Sequence, residues 1–145
     1  SRIYLAMHLW LEDQGFFNAA KLWKKFSSEE NNHADWCREH LLSLNILPQT
    51  REIPVVPNEF LSIADVVYKT LEHETTVTQQ CKDLARLAMQ EGDTLAYTLA
   101  HKMVAEQVEE LKKSFDLVNL AKRYDLDSGI KLNEALFDHE LEKFI

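Results

Sequence analysis

Five side chains, Glu30, His33, Glu74, Gln107 and Glu110, have types and spacings that could do chemistry together. Each falls on a stripe that its neighbours mark as apolar and inward. The series Ala19, Trp23, Phe26, Glu30, His33, Cys37, Leu41 and Leu44 advances by three or four residues at each step, so a helix would point Glu30 and His33 at the same core as Trp23. Ile63, Val67, Thr70, Glu74, Val77, Cys81, Leu84 and Ala88 form a second such stripe, with Glu74 in its middle. Ala96, Leu99, Met103, Gln107, Glu110, Ser114, Leu117 and Ala121 form a third. An unpaired buried carboxylate is costly, and none of these stripes carries a Lys or Arg, so the expected counter-charge is a metal ion. Carboxylate oxygens with one imidazole nitrogen suit iron or manganese. Structural zinc sites favour thiolates, and calcium takes oxygen alone.

Taken singly, these signals are weak. A lone Glu-x-x-His is usually a solvated pair on a helix surface, and a lone inward histidine is usually a hydrogen-bonded core residue. Tyr4 and Met7, on the inward face of the first segment, read as packing residues by the same standard. The metal reading rests on coincidence, because three successive helices bring polar ligand types inward at mid-length.

The elements that must position these groups are helices. Only 3 Gly and 3 Pro punctuate 145 residues, too few breakers for a hairpin-rich fold, and 46% hydrophobic content is enough for one core, so a single all-α domain over residues 1–145 is expected. The segment "RIYLAMHLWLEDQ" predicts a first helix closed at Gly15, and a second runs over about residues 16–44. All three prolines fall in "NILPQTREIPVVPNEFL", a long connection. Ser62 and Asp65 form a capping-box pattern that opens a third helix reaching Gly92, and Asp93 caps a fourth that runs to about Tyr124. "DLDSG" predicts a turn and "IKLNEALFDHELEKF" a short fifth helix. Short turns join helices one to two and three to four, giving two antiparallel hairpins tied by a crossover, a four-helix-bundle topology.

The formal net charge of −8 disfavours nucleic acid and anionic membranes as partners and favours cations. Cys37 and Cys81 lack a C-x-x-C spacing and suit reduced core thiols. No apolar run is long enough to span a bilayer and no signal-peptide pattern opens the chain, so a soluble cytoplasmic protein is expected.

At this point the residues resemble a family. "EENNHA", "EHETTVT" and "AEQVEE", with the long second crossover and the terminal "LFDHELEKF", look like a prokaryotic non-haem ferritin of the ferritin-like di-iron carboxylate family, in which inward Glu and Glu-x-x-His side chains hold iron in a bundle core. The resemblance implies a ferroxidase centre in which Glu30 bridges two irons, His33 holds the first, and Glu74 and Glu110 hold the second. Gln107 would orient dioxygen or its products, and Tyr4 matches a tyrosine that supplies an electron. Glu29, Glu106 and Glu109, one helical step away, match a third and weaker iron site. Gln107-x-x-Glu110 is the ferritin version of a position where bacterioferritins and rubrerythrins carry Glu-x-x-His. The haem-ligating Met of bacterioferritins would fall at Asn31, so no haem is expected.

One departure stands out. Family members carry a further Glu two turns before the tyrosine, a place about four residues upstream of Ser1 at ~3.6 residues per turn. The start of the first helix is therefore expected to lie outside these residues, and the chain as written would hold its first iron with one ligand fewer. The implied function is iron storage: Fe(II) is oxidised by dioxygen or hydrogen peroxide at the paired site and kept as ferric mineral in a hollow homo-oligomer of twenty-four subunits, with Glu91 and Asp93 lining an inlet pore. The alternative is a small-oligomer di-iron oxidase or peroxidase of the rubrerythrin type. A metal-free helical interaction module is the remaining rival, and iron content discriminates it.

Overall fold

The computed structural model describes residues 1–145, and every regular element in it is helical. The order is α1 (Arg2–Asp13), α2 (Phe17–Ser43), α3 (Ile63–Gln90), α4 (Thr94–Arg123) and α5 (Lys131–Glu140). Short 3-10 turns at Leu126–Ser128 and Leu141–Phe144 flank α5. No helix is long and apolar enough to cross a membrane.

The helix ends follow from local chemistry. After α1 the backbone turns left-handed at Gly15 (φ 85°), and the amides of Gly15 and Phe16 donate back to the Glu12 and Leu11 carbonyls, which closes the exposed end of the helix. Gly92 (φ 68°) does the same after α3, its amide reaching Met89 and that of Asp93 reaching Ala88. The end of α2 uses Asn45 in the left-handed region (φ 58°), an asparagine doing what glycine does elsewhere. At the start of α3, Ser62 Oγ accepts the Asp65 amide at 3.1 Å while the Asp65 carboxylate accepts from the Leu61 amide at 3.0 Å. Asp93 accepts the Ala96 amide at 2.9 Å and so caps α4.

The chain divides into two compact units, and the division falls inside α3 and α4. The first comprises Ser1–Val66 and Leu120–Ile145. Within it α2 packs against α1, against α5 and against the final 3-10 turn. Tyr4, Met7 and Leu11 of α1 are buried with Ala19, Leu22, Trp23 and Phe26 of α2, the rings of Tyr4 and Phe26 lying 5.8 Å apart. His8 Nδ1 donates to the Ala20 carbonyl at 2.9 Å and pins the hairpin. Trp10 meets Phe60 edge-on at 5.8 Å, holding the end of the crossover, residues 44–62, against α1. The second unit is Val67–Asn119, α3 after its first turn and α4 up to its last, with the turn that joins them.

The expected stripes are buried or half-buried at every position but two. Leu44 is exposed because α2 has already ended, and Leu84 stands outward near the far end of α3. Cys37 and Cys81 are both thiols, outside any disulfide.

Candidate metal centre

In the first unit the candidate ligands lie on one turn of α2. Above Trp23 and Phe26 the stripe becomes polar, and Glu30 and His33, each with 15% side-chain exposure, face one another so that Nδ1 lies 3.2 Å from Glu30 Oε1. Three residues separate them, the spacing at which two side chains on a helix meet. One turn further, the Trp36 ring lies 4.9 Å from the imidazole and walls it on one side. Tyr4 is buried beside Phe26 at the same end of the first unit.

Within the second unit lies a buried cluster of its own. Glu74 is 2% exposed, Gln107 3% and Glu110 6%. Gln107 Nε2 donates to Glu74 Oε2 at 2.9 Å and to Thr78 Oγ1 at 3.1 Å, while the Thr78 hydroxyl donates to the Glu74 backbone carbonyl at 2.7 Å. The amide thereby orients the Glu74 carboxylate. Glu110 is held differently: Lys113, one turn along α4, donates from Nζ to Oε1 at 2.9 Å. Ser114 Oγ donates to the Glu110 backbone carbonyl at 2.9 Å.

Glu30 and His33 thus lie within hydrogen-bonding distance of one another, as do Glu74 and Gln107. Of the weaker-site residues, Glu29 and Glu106 are half-buried and Glu109 is exposed. The stripes carry no Lys or Arg, as read, but Lys113 brings a cation to one of their carboxylates from beside them. Its Cα is off the buried stripe, yet its four-carbon stem brings the ammonium to Glu110. Thr78 and Trp36 also escaped the sequence reading. Both were accessible to it, since Thr78 lies four residues after Glu74 and Trp36 three after His33.

Inward carboxylates, an imidazole and an amide on long helices define a helical protein whose buried donor set suits a hard or borderline metal ion. The ferritin-like domain family matches residues 1–124, and the chain belongs to the ferritin family, whose general role is iron storage. It is 32% identical over 123 residues to the ferritin BfrB of Mycolicibacterium smegmatis, covering 85% of this chain and 68% of that protein. It is 31% identical over 130 residues to a bacterial non-heme ferritin of Bacteroides fragilis, covering 90% and 81%. Among solved structures it resembles the open-pore ferritin of the archaeon Archaeoglobus fulgidus, with a TM-score of 0.88 and 26% identity over 97% of this chain and 85% of that one. The fold is thus the ferritin four-helix bundle with a short fifth helix.

Proposed function

We propose that the protein is a cytoplasmic ferroxidase and iron store, oxidising Fe(II) at a di-iron centre to which α2 gives Glu30 and His33, α3 gives Glu74 and α4 gives Glu110. Glu30 bridges the two irons, Gln107 orients the dioxygen or peroxide that takes the electrons, and Tyr4 is the nearby electron source. Glu29, Glu106 and Glu109 form a third, looser position through which iron passes. The ferric product collects as mineral inside a shell of twenty-four chains. Carboxylate ligands stabilise Fe(III) more than Fe(II) and so favour electron loss.

The observation that supports this reading is a pair of buried carboxylates on neighbouring helices, Glu74 of α3 at 2% and Glu110 of α4 at 6% exposure, since burying two such groups is favourable only where partners compensate them, a role an iron ion can fill. Glu30→Ala tests the centre: stopped-flow absorbance should lose the fast phase of Fe(II) oxidation while circular dichroism keeps its helical signal. An unchanged fast phase would put the oxidation elsewhere.

A further inference from the structure

We propose that Lys113 is a built-in counter-ion for Glu110 that an incoming divalent cation must displace, so that this lysine sets the affinity of the Glu110 position. The proposal rests on the reading of Glu110 as an iron ligand.

Glu110 Oε1 takes an ammonium at 2.9 Å, and a metal ion arriving there must first break an ion pair. Lys113 is built for such an exchange. Glu110 has 8% side-chain exposure whereas Lys113 has 41%, so the ammonium sits at the water boundary and its flexible stem can swing outward as the metal takes the oxygen. The exchange has a clear driving force, because a divalent cation brings twice the charge and a coordination distance near ~2 Å. In the metal-free protein the same pair relieves the burial of Glu110. Lys113 therefore acts in opposite directions in the two states, stabilising the empty protein and opposing its loading.

The test uses Zn2+ as a redox-silent probe, titrated calorimetrically into the assembled wild type, Lys113→Met, Lys113→Arg and Glu110→Gln, with melting curves with and without the metal. Lys113→Met should bind Zn2+ at the Glu110-dependent position about fivefold more tightly, the size of a part-exposed ion pair. Its metal-free melting temperature should fall while the rise caused by Zn2+ grows. Lys113→Arg should restore wild-type behaviour in both. Lys113→Gln removes the charge with a polar side chain and serves as the second variant should the methionine prove insoluble. If removing the charge lowers the melting temperature equally with and without Zn2+ and leaves affinity unchanged, Lys113 is only a surface ion pair and the proposal is overturned. If Glu110→Gln binds as much Zn2+ as the wild type with equal affinity, Glu110 is no ligand, and the functional reading at that residue falls together with the role of Lys113.

Discussion

Glu30, Glu74 and Glu110 each hold a carboxylate on a buried face, and each has a different companion: an imidazole, an amide and an ammonium. The differences follow from spacing. His33 and Lys113 lie one turn from their glutamates on the same helix, whereas Gln107 reaches across from α4 to α3. The inward positions were legible because three-and-four periodicity forces Glu74 and Glu110 onto the stripes of Val67 and Leu117. Periodicity cannot report where a long flexible side chain ends, so Lys113 stayed hidden. Cys37, one turn beyond His33, yields a prediction of the same scale. Burial pushes its thiol above the ordinary value, against a smaller opposing pull from Arg38. The folded state therefore keeps the proton to higher pH than the unfolded chain does. The stability this gives is present below the unfolded value and is lost as pH rises through the folded one. Since the thiolate is the reacting form, Cys37 should react with a maleimide at neutral pH more slowly than a cysteine peptide does, and the gap should persist until pH exceeds the usual thiol range. Equal rates near pH 7, measured with Cys81 replaced by Ser, would contradict the burial argument.

The helices themselves show what a local pattern can and cannot carry. Gly15, Gly92, Ser62 with Asp65, and Asp93 are all close in sequence to the ends they close, and each of those ends could be read from the residues alone. The cap of α2 could not. Phe16 occupies its cap position and offers no side-chain oxygen. The missing acceptor comes from α5, where the Asp138 carboxylate takes the Ala19 amide at 2.8 Å and the Asn18 amide at 3.4 Å, from more than a hundred residues along the chain. A carboxylate at a helix N-terminus also meets the positive end of the helix dipole. Asp138 thus joins the docking of α5 to the integrity of α2, the helix that carries Glu30 and His33. Asp138→Ala should cost about 1 kcal/mol in denaturant unfolding, as loss of a cap does, and should speed hydrogen exchange at the Asn18 and Ala19 amides ahead of those in mid-helix. Asp138→Asn should keep much of the cap. Unchanged exchange at both amides in the alanine variant would mean that water replaces the carboxylate without loss.

At the scale of the molecule, the surface is the informative part. A chain of net charge −8 ought to repel its copies, yet it exposes Leu47, Ile53, Val55 and Leu61 along the crossover, Val55 and Leu61 at 91%, together with Leu5 and Leu9 on α1. Scattered exposed leucines are ordinary, but apolar residues concentrated on one connection and the helix it packs against are what a subunit interface requires. The first unit thereby carries both features together, since Trp10 and Phe60 fasten the crossover to α1. We expect a closed oligomer of twenty-four chains, each of 16.9 kDa, in which this surface is covered by neighbouring subunits. A glutamate placed in the middle of a covered apolar patch is desolvated on assembly and leaves the separated subunit almost untouched, because Val55 has no core packing to lose. Val55→Glu should therefore shift the particle toward small species in light scattering at neutral pH while the helical circular dichroism stays within a few per cent of wild type. The same variant should retain fast Fe(II) oxidation if the centre is complete within one chain, but should lose soluble ferric mineral for want of an enclosure. A wild-type protein that scatters as a monomer or dimer would sink the shell, and a variant that stays fully assembled would move the interface off the crossover.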